Sequence, residues 1–348
     1  MSVALLEAGP PDRHPLFRIP GLGFMVSLDP RYNWMFKTDP IADLDGRVLT
    51  MLQGRVLGGS SSINGMMYNR GNPDEYGLWR QLGCEGWTYD ELRPCFERIE
   101  AAIAGAASGG GMPLPQYDGD LPIFRAFLDA ARQKGFPVLG DLTATAGEGF
   151  GYYHGNIRGG RRMSAARAYL PAALRTGRLE LRTETQATRV LVEDDRAVGV
   201  EAVHEGRLQW LLARREVVLC GGAIKSPHLL LLSGIGSRAQ LEAFGIGTVV
   251  DSPLVGAGLQ NHPCYRMQFT CREPASAYRY TRPGRAALEA LRYAFGRPSA
   301  LGRTVFGAGG YMRSTPDADI PDVQVVMAGA LTPPVTGARP GLFGMLPR

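Results

Sequence analysis

Residues 54–68 read GRVLGGSSSINGMMY and residues 222–236 read GAIKSPHLLLLSGIG. The first run is a paired glycine, a cluster of three hydroxyls and an Asn-Gly step. Gly58 and Gly59 let the backbone approach a ligand with no Cβ in the way. Ser60 and its neighbours, with adjacent amides, suit a pyrophosphate at a helix start. Asn64 offers both a donor and an acceptor to the edge of a flat polar ring. A bare GGSSS reads as a flexible linker. The flanking Val56-Leu57 and Ile63-Asn64-Gly65-Met66-Met67-Tyr68 favour an ordered loop laid against a cofactor instead. The second run is a small-residue turn, a Ser-Pro helix start, an apolar helix over 226–232 and a glycine stop. Its role reads as close strand–helix packing, with His228 a structural histidine.

Working outward, Glu216-Val217-Val218-Leu219-Cys220 precedes the second run as a strand. Strand, glycine turn and helix in that order are the phosphate-side geometry of a doubly wound sheet. Val3-Ala4-Leu5-Leu6 reads as a buried parallel strand that ends at Glu7. An acid closing such a strand bonds ribose hydroxyls in dinucleotide folds, and a surface glutamate explains Glu7 equally well. Strands over 179–192 and 197–201, with the turn Glu193-Asp194-Asp195-Arg196 between them, predict a β-meander. Helical patterns cover 74–100, 122–135 and 164–176, the last interrupted at Pro171. Residues 104–122, rich in Gly, Ala and Pro, read as a loop and a domain edge.

Composition bounds the function. At 348 residues, 45% hydrophobic and 20% charged, the chain is globular and long enough for one large or two ordinary domains. No apolar run approaches the ~20 residues of a membrane span. The start, MSVALLEAG, carries no basic leader. Five scattered cysteines read as unpaired thiols, and neither they nor the five histidines have metal-ligand spacing. The net charge is +5. Residues 261–313 hold nine arginines against Glu273 and Glu289, a local excess of 9 − 2 = 7. That stretch reads as a solvated face, or as a basic surface for anionic lipid or a redox partner. No groove motif or aromatic interleaving points to nucleic acid.

Both runs resemble the signatures of the glucose–methanol–choline (GMC) family of FAD-dependent alcohol oxidoreductases, in its choline-dehydrogenase-like branch. The second fits throughout; the first departs where Gly77 stands for alanine or a polar residue. Further resemblance lies in Leu5-Leu6-Glu7-Ala8-Gly9, in Gly159–Pro171, in Val255–His262 (with Gly258 for Asn and Asn261 for Asp), and in Val305–Tyr311. The resemblance implies an α/β fold: a doubly wound, Rossmann-like FAD domain over 1–110 and 165–262. A substrate domain on an antiparallel sheet is implied over 111–164 and 263–348. It implies FAD ligands at Glu7, Gly58, Gly59, Ser60, Asn64, Gly65, Met67 and Ala187, the last through its backbone.

Members that attach FAD through a histidine carry it just before the Asn. Here that residue is Ile63, which implies non-covalent FAD. The implied reaction is hydride transfer from the CH–OH group of a primary alcohol to flavin N5, with a quinone, carrier or O2 as electron acceptor. Choline-oxidising relatives tend to carry an acid where Gly307 stands, which argues against a quaternary ammonium substrate. Measured against the family, the GxGxxG turn before Leu5 and the catalytic histidine after residue 262 are missing. The expectation is a fragment incomplete at both ends, its catalytic base beyond Arg348, that binds FAD poorly and has little activity alone; the alternative is a non-catalytic remnant or pseudoenzyme that folds partly and binds a partner. An NAD(P) enzyme has no use for the 54–68 loop. The expected location is cytoplasmic, with peripheral contact at the inner face of a bacterial membrane through 261–313.

Overall fold

A computed structural model describes residues 1–101, 114–117, 121–143 and 147–330. Most of the 104–122 linker lies outside the described residues. The chain forms two compact units, one of Met1–Pro11 with Arg178–Met267, the other of Asp12–Gly177 with the described residues from Gln268 on.

In the first unit, strand Val3–Leu6 runs parallel to Leu179–Arg182, from Val3 opposite Leu179 to Leu6 opposite Arg182. Strands Thr185–Glu193, Arg196–His204 and Arg207–Leu212 form an antiparallel meander; the sequence pattern points to the first two strands and not to Arg207–Leu212. Asp194 and Asp195 close its first turn with φ of 46° and 60°, a conformation that Asp tolerates better than most residues. Helix Gly222–Leu232 packs on the meander. Buried Ser233 ties the two together: its hydroxyl donates to Leu229 O (2.6 Å) and accepts from Val190 N (2.8 Å).

Residues 216–220 do not form the predicted strand. Their side chains keep the period of two, with Val217 and Leu219 turned into an apolar cleft of about 270 Å³ beside Val190, Val192, Leu230 and Ile235. The backbone finds no ladder partner among the described residues. Alternation records burial, whereas a strand also needs a neighbour to bond. Among the described strands, parallel pairing joins Val3–Leu6 to Leu179–Arg182 and Ile235–Gly236 to Val250–Asp251.

The second unit is built on an antiparallel sheet in the order Val323–Ala328, Phe306–Met312, Gly149–Tyr152. Helix Pro122–Gln133 lays Phe124, Leu128 and Ala131 against Phe150 and Ala308 of that sheet. This is the amphipathic face that its spacing predicted. The 74–100 pattern is two helices, Pro73–Gln81 and Tyr89–Ala101. Gly83 and Gly86, at φ of 98° and 80°, turn the chain between them. Ser164 caps helix Ala165–Arg175 by accepting from Arg167 N, and the helix carries Pro171 without breaking.

The compact units are cut differently from the 1–110 and 165–262 division. Residues 12–101 and 165–177 cluster with the antiparallel sheet. The sequence division concerns which residues hold a cofactor.

Candidate functional site

The 54–68 loop is folded from its apolar residues outward. Val56 and Ile63 are buried with Phe17 and Val26, and Met66 is buried beside them in the sequence. These anchors fix a short 3-10 turn, Gly59–Ser62. Gly58 enters it at φ 92°, and a Cβ there would lie 2.6 Å from Ser62 Oγ and 3.2 Å from Ala166 Cβ. Gly58 is therefore required by packing as well as by backbone conformation. Gly59 differs: at φ 54° its Cβ position opens into free space, the open approach that a ligand needs.

The three serines divide by role. Ser61 Oγ donates to Gly58 O (2.5 Å) and accepts from Ala165 N (2.8 Å). Ser62 Oγ donates to Leu57 O at 2.8 Å. Both hydroxyls are spent inside the protein. Ser60 is exposed, its Oγ accepting Gly54 N at 3.1 Å. Its carbonyl accepts the Asn64 amide at 2.8 Å, which joins the two exposed polar residues of the loop through their backbones.

Asn64 is oriented by two donors. Its Oδ1 accepts Met66 N at 3.2 Å and Arg162 Nη1 at 2.9 Å. Arg162 Nη1 also donates to Ser61 O at 3.3 Å. Met66, at φ 63°, holds a conformation unfavourable for a long side chain, and its burial over-determines it. Gly65 is set by packing: a Cβ there would meet Phe306 at 3.0 Å. Thr304 Oγ1 donates to Gly65 O at 3.0 Å from the same side. Met67 is half-buried and pairs with Gly155.

Glu7 and Ala187 lie in the first unit. Glu7 follows the Val3–Leu6 strand, and its Oε1 accepts Gly9 N at 2.7 Å. Its carbonyl accepts Thr185 N at 2.9 Å, so the strand bearing Ala187 starts beside it. Ala187 pairs with Ala202 at an irregularity of the meander ladder. The six residues from Gly58 to Met67 thus form one loop, and Glu7 and Ala187 form a second group on neighbouring strands.

Sequence reading missed Arg162 and Thr304. Arg162 is one of two adjacent arginines in a hairpin, and nothing in the run marks which of them is buried. Among the described residues no cluster of three or more His, Cys, Asp or Glu is placed to hold a metal. No described helix is long and apolar enough to cross a membrane. The loop fits a flavin cofactor on three observations: the open face at Gly59, the outward Ser60 and Asn64, and the buried cation behind them.

Residues 19–264 match the family model described as GMC oxidoreductase. The chain is 37% identical over 328 residues to the oxygen-dependent choline dehydrogenase of Rhizobium johnstonii, covering 93% of this chain and 59% of that protein. It is 39% identical over 333 residues to the mitochondrial choline dehydrogenase of Homo sapiens, covering 92% of this chain and 56% of the human protein. Among solved structures, the pyridoxine 4-oxidase of Mesorbium loti is 34% identical with a TM-score of 0.65, over 72% of this chain and 50% of that one. An FAD-dependent oxidoreductase from Chaetomium thermophilum shares the fold, with a TM-score of 0.76 at 24% identity over 90% of this chain and 57% of that one. The chain spans somewhat over half the length of the curated relatives it matches.

Proposed function

Because the chain belongs to the GMC oxidoreductase family, we propose that it is the FAD-holding part of an oxidoreductase that acts on the CH–OH group of primary alcohols. The observation that carries this reading is the 58–67 loop, which turns Ser60 and Asn64 outward on a fully braced backbone. Bound there, FAD supplies a two-electron acceptor for the alcohol carbon. The chain's own residues bind and orient it. Gly58 and Gly59 let the backbone approach, Ser60 and Asn64 bond its polar edges, and Gly65 and Met67 complete the seat. Glu7 takes the ribose hydroxyls, with Ala187 giving its backbone to the adenine. The FAD-domain boundaries 1–110 and 165–262 follow from these assignments.

The flavin is held non-covalently. Ile63, where histidine-linked relatives carry the attachment residue, has no nucleophile and is buried with Phe17 and Val26.

The relatives' names point to choline and pyridoxine, both alcohols. A neutral primary alcohol is the substrate best supported for this chain. A Cβ at position 307 would lie 2.8 Å from Phe124 and 3.0 Å from Tyr117, so aromatic rings fill the space an acid would need to meet a quaternary ammonium. Electrons pass on to a quinone, a carrier or O2. A peripheral membrane contact, at the inner face of a bacterial membrane, rests on the arginine excess in 261–313 alone. Arg292 and Arg313 of that stretch are engaged by Glu289 and Glu148.

Titrating FAD into the protein while following quenching of flavin fluorescence tests the cofactor assignment. Saturable quenching that is weakened by Asn64→Ala supports it. Dye reduction with a panel of primary alcohols and choline, assayed on the protein together with whatever sequence flanks it in its gene, tests the reaction. Turnover with choline alone overturns the substrate reading.

A further inference from the structure

Among the described residues, Arg162 is a cation buried without an anion. It is 2% exposed, and its Nε has no hydrogen-bond partner among the described residues. Burial draws its pKa down to about 10 with no carboxylate opposing the shift, so it remains charged at neutral pH. Burying an unpaired charge is costly, and a structural arginine in such a place is ordinarily met by an acid. Here the acceptors are the Ser61 carbonyl and Asn64 Oδ1, both in the cofactor loop. On the other side, a Cβ at Gly23 would come within 2.5 Å of Nη2, which confines the guanidinium against the loop.

We propose that Arg162 is a positioning residue for the cofactor: it holds Asn64 Oδ1 so that the Nδ2 amide faces outward as a donor, and its unneutralised charge makes the loop a seat for an electron-rich ring. The proposal rests on the FAD reading above and names what sets the site's polarity. Two donors on Oδ1 fix which way the Asn64 amide is turned. Nδ2 has no acceptor among the described residues. It is left to a ligand, and a hydrogen bond from a cation to the other end of the amide strengthens it as a donor. A charge in a water-poor site is weakly screened. It therefore favours the reduced flavin, which carries more electron density than the oxidised form, and raises the reduction potential.

The test uses the protein together with the sequence that flanks it in its gene, with FAD affinity from fluorescence quenching and the potential from equilibration with reference dyes. Asn64→Ala and Arg162→Met are each expected to weaken FAD binding about tenfold. The double variant is expected to bind no more weakly than the worse single one, because both remove the same contact. Arg162→Gln keeps a donor but loses the charge; the oxidised-to-reduced ratio at a fixed potential should rise about tenfold, about 30 mV for two electrons. Arg162→Lys should hold the potential near wild type. A purely structural arginine moves the unfolding midpoint and leaves the potential alone.

Gly23 has helical backbone angles, so Gly23→Ala folds without backbone strain and presses its methyl on Nη2. It should weaken FAD binding even where the Arg162 variants fold poorly. Fully additive losses in the double variant, or an unchanged affinity and potential in Gly23→Ala and Arg162→Gln, overturn the proposal. Absence of saturable quenching by the wild-type protein with its flanking sequence overturns the cofactor reading and this proposal with it. Quenching by wild type and Arg162→Gln with equal affinity and potential overturns this proposal alone.

Discussion

The Ser61 hydroxyl accepts the backbone amide of Ala165 at 2.8 Å, joining the cofactor loop to the first turn of helix Ala165–Arg175. The same hydroxyl donates to Gly58 O at 2.5 Å. One side chain thus closes the loop on itself and satisfies an amide that has no partner within its own helix.

Ser61→Ala is expected to cost about 1–3 kcal/mol, since it leaves a part-buried amide without an acceptor. Ser60→Ala, at an exposed site, should stay within about 0.5 kcal/mol. Urea unfolding of the two variants checks the contrast. Equal losses would mean that the serines share one role.

Gly307→Glu should lower stability by about 1–3 kcal/mol or more through overpacking alone. A Cβ there has no room beside Phe124 and Tyr117, and the carboxylate adds a desolvation cost. Thermal unfolding reads the loss. A variant as stable as wild type, with new activity on choline, would show that the rings yield easily.

Glu100 links helix Tyr89–Ala101 to residues 68–70. It accepts from Arg70 Nε at 2.6 Å and from Tyr68 Oη at 2.9 Å. The Arg70 hydrogen bond holds the Glu100 carboxyl below its usual value of 4.5, against the opposing pull of burial. Its folded pKa is depressed, so the stabilisation is complete above the unfolded value and is lost as pH falls through the folded one. Unfolding free energy should therefore decline below about pH 4.5. Glu100→Gln should flatten part of that decline and cost about 1.5–3 kcal/mol at pH 7. Urea titrations at pH 7, 5, 4 and 3 test both; an identical acid slope in the variant assigns the decline to other groups.

All five cysteines are free and exposed. Thiol titration of the native, unreduced protein should find five rapidly reacting groups. Three or fewer would mean that disulfides form between exposed thiols.

Residue order by itself determined the local chemistry of this chain. The 54–68 and 222–236 runs carried the family, because a glycine turn, an asparagine and a small-residue helix start are each needed at one place along the backbone. The amphipathic 122–133 helix and the first two meander strands, over 185–204, were legible for a similar reason: burial on one face leaves a period of 3.6 or 2. Tertiary structure decided what depends on neighbours distant in sequence. Residues 216–220 keep a strand's alternation and lack its ladder, since hydrogen bonding needs a partner that no local pattern specifies. Three consecutive serines are equivalent as letters, yet Ser61 and Ser62 turn inward to Ala165 and Leu57 and leave Ser60 outward. Arg162 lies 98 residues from the asparagine it orients. Its burial, and with it the charge behind the cofactor loop, exists only once the two segments are folded against each other.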